Sequence, residues 1–198
     1  MSEVDHPGDA TPPPVGRRSR VAPFVALAVA VVLAGLFVVL MGAKPSTDET
    51  AETPLMDRAA PEAVGTLGDG SIFDLARRKG DWLAVNFFQS ECIPCQQEHP
   101  ELVRFAEQQA ALGADGARLV TVVFDDSKAD VDAFFAAEGG DWPVVFDEDG
   151  SISTAFGVPK VPETWIIDPG GFVRARIISR VSADFLSNQL QVLREQLG

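Results

Sequence analysis

The two cysteines of this chain are its only ones, and they stand as Cys92-Ile93-Pro94-Cys95 between an apolar run, Trp82 to Phe88, and a stretch with helical periodicity. A buried strand that hands a reactive pair directly to a helix limits the chain to folds in which a helix starts at the end of a core strand. The unpaired N–H groups at that helix start lower the cost of a thiolate on Cys92, and Cys95, one turn on, is near enough to resolve a mixed disulfide. A zinc site needs four ligands, and the only histidines are His6 and His99. Haem attachment needs a histidine directly after Cys95, where Gln96 stands. A purely structural bridge across two residues closes too short a loop to stabilise much. The placement points to thiol-disulfide exchange, with the cysteine pair as the redox group and no separate cofactor.

Around that pair the signals alternate in type. Trp82 to Gln89 and Arg118 to Phe124 read as buried strands, Cys95 to Leu112 as a helix with a kink expected at Pro100, and Lys128 to Glu138 as a short amphipathic helix ended by Gly139-Gly140. Val144 to Phe146 is a short strand and Ser151 to Phe156 a short helix. Thr164 to Ile167 and Phe172 to Ile178 flank Asp168-Pro169-Gly170-Gly171, a hairpin signal. Ser182 can cap a last helix whose Phe185, Leu186, Leu190, Leu193 and Leu197 form one stripe. This order predicts an α/β domain with a mixed central sheet flanked by helices.

Residues 21–43 carry no charge, and 23 helical residues span about 34 Å, enough to cross a bilayer core. The run is longer than the apolar core of a cleavable signal peptide, so an uncleaved transmembrane anchor is expected. Arg17, Arg18 and Arg20 precede it, which puts the N-terminus in the cytoplasm and the remaining chain outside the cell membrane. The expected organisation is a disordered tail at 1–20, a single-pass anchor at 21–43, a linker at 44–60 and one domain at 61–198. Acids and arginines cancel in the tail, so the net charge of −13 belongs to the exported part and nucleic acid is excluded as a partner. Nothing requires more than a monomer.

Three blocks carry a family resemblance. They are Leu83-Ala84-Val85-Asn86-Phe87-Phe88 leading to Cys92-Ile93-Pro94-Cys95 with Glu98, Pro100 and Leu102; Val144 to Asp147 through Gly150 to Phe156-Gly157-Val158; and Val161-Pro162-Glu163-Thr164-Trp165-Ile166-Ile167-Asp168 followed by Gly171. In these blocks the chain resembles the membrane-anchored, thioredoxin-like thiol-disulfide oxidoreductases of cytochrome c maturation, the TlpA, ResA and CcmG type. The resemblance implies a thioredoxin-like fold, with Pro162 a cis-proline facing the cysteines and Val161 exposing its backbone to a substrate strand. It implies a protein disulfide substrate, apocytochrome c, and a membrane thiol carrier as electron donor. It also suggests Glu163 as a proton relay, since Asn86 stands where a thioredoxin has a titratable aspartate.

Glu91 departs from the family, which has tryptophan before the first cysteine. At ~6 Å and an effective dielectric of 40 to 80, its charge raises the thiolate energy by ~0.7 to 1.4 kcal/mol, and an aromatic contact for the substrate is lost. Glu91, Ile93, Pro94 and Val161 are thus the expected substrate-contacting residues, beside the catalytic Cys92, Cys95, Pro162 and Glu163. His99 is expected to be an exposed helix residue; with both cysteines it offers the alternative of a Cu(I)-binding chaperone. A disulfide-forming oxidase would share every motif. A peroxidase of related fold needs a threonine where Gln89 stands.

Overall fold

The computed structural model describes residues 22–42 and 48–197, in two separate units divided between residues 45 and 46. The first unit contains one helix, α1 (Ala22–Gly42), whose apolar side chains between 24 and 38 are exposed, Phe24 at 72% and Val32 at 68%. Among the described residues no helix is long and apolar enough to cross a membrane. The anchor expected over 21–43 therefore rests on the sequence, and the tail 1–20 and the start of the linker lie outside the described residues.

In the second unit an eight-stranded sheet forms from β1 (Glu49–Thr50), β2 (Val64–Leu67), β3 (Ile72–Asp74), β4 (Leu83–Phe88), β5 (Arg118–Val123), β6 (Val144–Phe146), β7 (Glu163–Ile167) and β8 (Val173–Ile178). Their spatial order is β1-β8-β7-β4-β5-β6-β2-β3. The central trio β4, β5 and β6 is parallel, and β7 runs antiparallel to β4. The helices are α2 (Ile93–Ala111), α3 (Lys128–Glu138), α4 (Ser151–Phe156) and α5 (Ala183–Leu197).

Strand β4 is buried at all six positions because helices or turns cover both faces of the sheet. Alternation divides its side chains. Val85 and Phe87 pack with Ile152 and Phe156 of α4 and with Trp165, whereas Ala84 lies with Leu102 and Phe105 of α2 and Leu186 and Leu190 of α5. The expected stripe on α5 therefore exists, although Leu197 is 48% exposed at its frayed end. Ser182 accepts from Phe185 N at 3.3 Å, as a cap should. Helix α2 starts earlier than its periodicity suggests, because Cys92 itself caps it, and it continues through Pro100.

Two parts of the domain differ from the sequence expectation. Strands β2 and β3 form a hairpin at the sheet edge next to β6. Residues 48–60, expected as free linker, instead strap the other edge: β1 pairs with β8, Ala51 N donates to Arg176 O, Asp57 N to Val173 O and Ala60 N to Gly171 O. Arg174 joins this strap through Asp57 at 2.7 Å and reaches the hairpin acid Asp168 at 2.7 Å.

Candidate functional site

The redox pair sits where β4 ends and α2 begins. The short link between them is tied on three sides: Ser90 N donates to Asp126 Oδ2 at 2.6 Å, Gln89 Nε2 to the Asp125 carbonyl at 2.9 Å, and Gln96 Nε2 to the Ser90 carbonyl at 2.7 Å. Cys92 thereby becomes the N-cap of α2, and its sulfur accepts from Cys95 N at 3.2 Å. In an ordinary helix an oxygen of Ser, Thr or Asp fills this place, so a thiolate formed on Cys92 inherits a donor and the positive end of the helix.

Cys92 and Cys95 are joined in a disulfide, with Cα atoms 5.2 Å apart. Their environments differ in the way the chemistry needs. Cys92 is half-buried and Cys95 is 1% exposed, so only the first sulfur can meet an attacking or attacked partner.

Register places the facing loop. Phe87 pairs with Glu163, so the residues just before β7 lie beside the end of β4 and the start of α2. The Val161–Pro162 bond there is cis, as expected, and the Val161 carbonyl lies 3.8 Å from Cys92 Sγ. Glu91, Ile93 and Pro94 are exposed around Cys92, with Ile93 at 65%. Pro162 is buried and Val161 half-buried, which leaves a rim of apolar side chains and one acid around an accessible sulfur.

Glu163 is buried, but it is not a free carboxyl. Arg176 binds it with two parallel contacts, Nε to Oε1 at 2.8 Å and Nη2 to Oε2 at 3.0 Å. The two residues are diagonal neighbours across β7 and β8, because Trp165 pairs with Arg176 and Glu163 with Ile178. Both carboxylate oxygens are thus engaged by one guanidinium, so Glu163 is tied to Arg176 and not aimed at the cysteines. Alternation also sends Glu163 and Trp165 to the face of the sheet away from Thr164 and Ile166, which lie toward α2.

The buried carboxyl on the cysteine side is Glu98. It lies three residues after Cys95 on the inward stripe of α2 that continues through Leu102 and Phe105, and it is 1% exposed. Its Oε1 accepts from Val181 N at 3.1 Å and its Oε2 from Asn86 Nδ2 at 3.4 Å, while Asn86 also donates to Thr164 Oγ1 at 3.0 Å. Burial pushes Glu98 up to about 8, against the two hydrogen bonds, which pull it down. The spacing alone could have shown this acid, since an i, i+3 step from a buried cysteine lands on the same face.

His99 corrects a second expectation. It is 2% exposed, enclosed by Phe134, Phe135 and Trp142 at ring-centre distances of 4.8, 5.2 and 5.6 Å, with Nε2 held 2.9 Å from the Gly139 carbonyl. Gly139 adopts the left-handed φ of 80° that ends α3 and turns its carbonyl toward the ring. Burial lowers the pKa of His99 and keeps the imidazole neutral. With one ring nitrogen so engaged inside an aromatic box, His99 is a packing residue of the α2–α3 interface and not part of a ligand set with the cysteines.

A thioredoxin-like sheet that presents an N-cap cysteine, with a buried second cysteine and a cis-proline opposite, defines a thiol-disulfide oxidoreductase. The chain belongs to the AhpC/TSA family, whose model matches residues 56–176. It is 27% identical over 135 residues to the thiol-disulfide oxidoreductase ResA of Bacillus subtilis, covering 68% of this chain and 74% of that protein. It is 30% identical over 152 residues to the thiol:disulfide interchange protein DsbE of Allochromatium vinosum, covering 74% and 80%. A crystal structure of a DsbE-type thiol:disulfide interchange protein from Chlorobium tepidum superposes with a TM-score of 0.60 at 26% identity, over 69% of this chain and 94% of that one.

Proposed function

We propose that the chain is a membrane-anchored, extracytoplasmic reductase of protein disulfides, and that its client is an apocytochrome c whose haem-binding cysteines must be reduced before haem is attached. The observation that carries the dithiol-exchange reading is the pairing of an accessible, N-capping Cys92 with a buried Cys95 one helical turn from the buried carboxyl of Glu98, and the reductive direction follows from the family resemblance of the three sequence blocks. The reduced protein attacks a client sulfur with the Cys92 thiolate. One client sulfur leaves as a thiolate, and a Cys92–client bond forms. Cys95 then loses its proton and attacks Cys92, releasing the second client thiolate and leaving the Cys92–Cys95 bridge; two electrons pass to the client. A membrane thiol carrier reverses the last steps, and Cys95, leaving as a thiolate in a dry site, needs a proton close by. Glu98, protonated below about pH 8 in the oxidised state, is matched to a thiol near 8.5 and can supply it.

The client strand lies along Val161, against Ile93 and Pro94, with Glu91 replacing an aromatic contact by a charge. The uncharged run 21–43 behind Arg17, Arg18 and Arg20 supports the anchor and the orientation. The similarity to ResA, a thiol-disulfide oxidoreductase, and to DsbE, a thiol:disulfide interchange protein, supports exchange with a disulfide partner, and the cytochrome client follows from the resemblance of the three sequence blocks. Gln89 spends its side chain on the Asp125 carbonyl, away from any peroxidase role.

The test mixes the reduced full-length protein with a peptide carrying an oxidised Cys-x-x-Cys-His segment. One peptide bridge should open for each Cys92–Cys95 bridge that forms, as followed by mass after alkylation. A peptide left oxidised by a protein that still reduces other disulfides overturns the client assignment.

A further inference from the structure

The turn between β8 and α5 sends three consecutive backbone N–H groups to three carboxylates on two other segments. Val181 N donates to Glu98 at 3.1 Å, Ser182 N to Asp48 at 2.8 Å, and Ala183 N to Glu101 at 3.0 Å. Glu98 and Glu101 are successive turns of the redox helix, whereas Asp48 opens the strap that leads into β1. Asp48 grips the turn from both sides. Its own N–H donates to the Arg180 carbonyl at 2.9 Å, and its carboxylate also accepts from Ser182 Oγ at 3.1 and 3.2 Å. It does so with φ at 58°, a left-handed conformation that aspartate tolerates better than most residues.

The consequence falls on Glu98, for which this turn supplies one of the two donors among the described residues. We propose that Asp48 is a positioning residue for the redox centre: by fixing the Arg180–Ala183 turn it holds the Val181 N–H on the Glu98 carboxyl, so the strap sets the proton affinity of the group that serves Cys95. This rests on the reading of Glu98 as the relay.

The charged groups that face Glu98 are Asp48 from the strap and Arg180 from the turn, with Glu101 one turn along α2 and tied to Arg104. Asp48 acts on Glu98 in two opposed ways. Its charge raises the pKa of Glu98 and the Val181 bond that it maintains lowers it, the bond being the stronger influence. Two substitutions separate them. Asp48→Asn keeps an oxygen for Ser182 and removes the charge, whereas Asp48→Ala removes both and frees the turn.

The experiment follows the side-chain carboxyl carbon of Glu98 by NMR against pH in the oxidised full-length protein, identified by its loss in Glu98→Gln. The expected result is a midpoint that moves down in Asp48→Asn and up in Asp48→Ala. A simple structural brace would lower the melting temperature of both and move neither midpoint. Midpoints unmoved, or moved in the same direction in both variants, overturn the inference. The exchange rate of Glu98→Gln separates this from the reading beneath it. If that rate keeps the pH dependence of the wild type, the relay role fails even where the Asp48 variants shift Glu98. If the pH dependence is lost and the Asp48 variants leave Glu98 unmoved, the inference alone fails.

Discussion

Replacing Cys92 with alanine abolishes disulfide reduction, a loss of at least about a thousandfold, whereas Cys95→Ala carries out the first step and stops there. The asymmetry follows from position. Cys92 is half-buried, caps α2 and lies 3.8 Å from the Val161 carbonyl, so only its sulfur can both meet a client and be stabilised as a thiolate. Cys95 is 1% exposed and can reach no partner other than Cys92. The Cys95→Ala protein should therefore accumulate as a mixed disulfide with its client, visible as a mass increase under non-reducing conditions and discharged by an added thiol. Turnover by Cys95→Ala near the wild-type rate would mean that the client releases itself and that Cys95 is not the resolving thiol.

Glu98→Gln should change both stability and pH dependence. Glu98 has a folded pKa near 8, raised above the usual 4.5 by burial. An acid whose pKa is raised by folding contributes stability that is complete below its unfolded pKa and is lost as pH climbs to the folded value. Between those limits the unfolded chain has released a proton that the folded chain still holds. The oxidised protein should accordingly lose about 2 to 3 kcal/mol between pH 5 and 7 from this one group, and the decline should level off above about pH 8. Glutamine is uncharged throughout and can still accept from Val181 N, so Glu98→Gln should lack this slope in denaturant unfolding measured at each pH. The same variant should lose the fall in re-reduction rate near pH 8, because no proton is then available to the departing Cys95. An unfolding profile of unchanged slope would show that Glu98 titrates alike in both states.

The cysteine pair, the strands on either side of it and the cis-proline loop were legible because each is local: an apolar run, a cap position, a hairpin signal, a proline in a family block. Strands β4 to β8 and helices α3 and α4 follow from their apolar periodicity and turn residues to within a residue or two. What could not be read was pairing between distant segments. Glu163 looks like a free carboxyl until Arg176, 13 residues on, is seen to hold it across the β7–β8 ladder. Glu98 shares the face of Cys95 by its spacing, but its burial is evident only once the turn at Val181 covers it. His99 reads as exposed because its box is built from α3 and Trp142, whose position depends on the sheet. The strap reads as linker in the sequence because β1 is only two residues long, too short for any periodicity, and its polar residues are satisfied by the edge of β8 and by Ser182. In each case an acid or a polar run has a bland reading alone and a specific one once its partner is in place.

The proposed direction of the chemistry is reductive: this dithiol reduces its client. It is tested most directly by equilibrating the full-length protein against dithiol and glutathione buffers at pH 7 and determining the reduction potential of the Cys92–Cys95 pair. The pair should be strongly reducing, at about −270 mV, the value of a thioredoxin. A value of about −120 mV would instead make the protein a donor of disulfides.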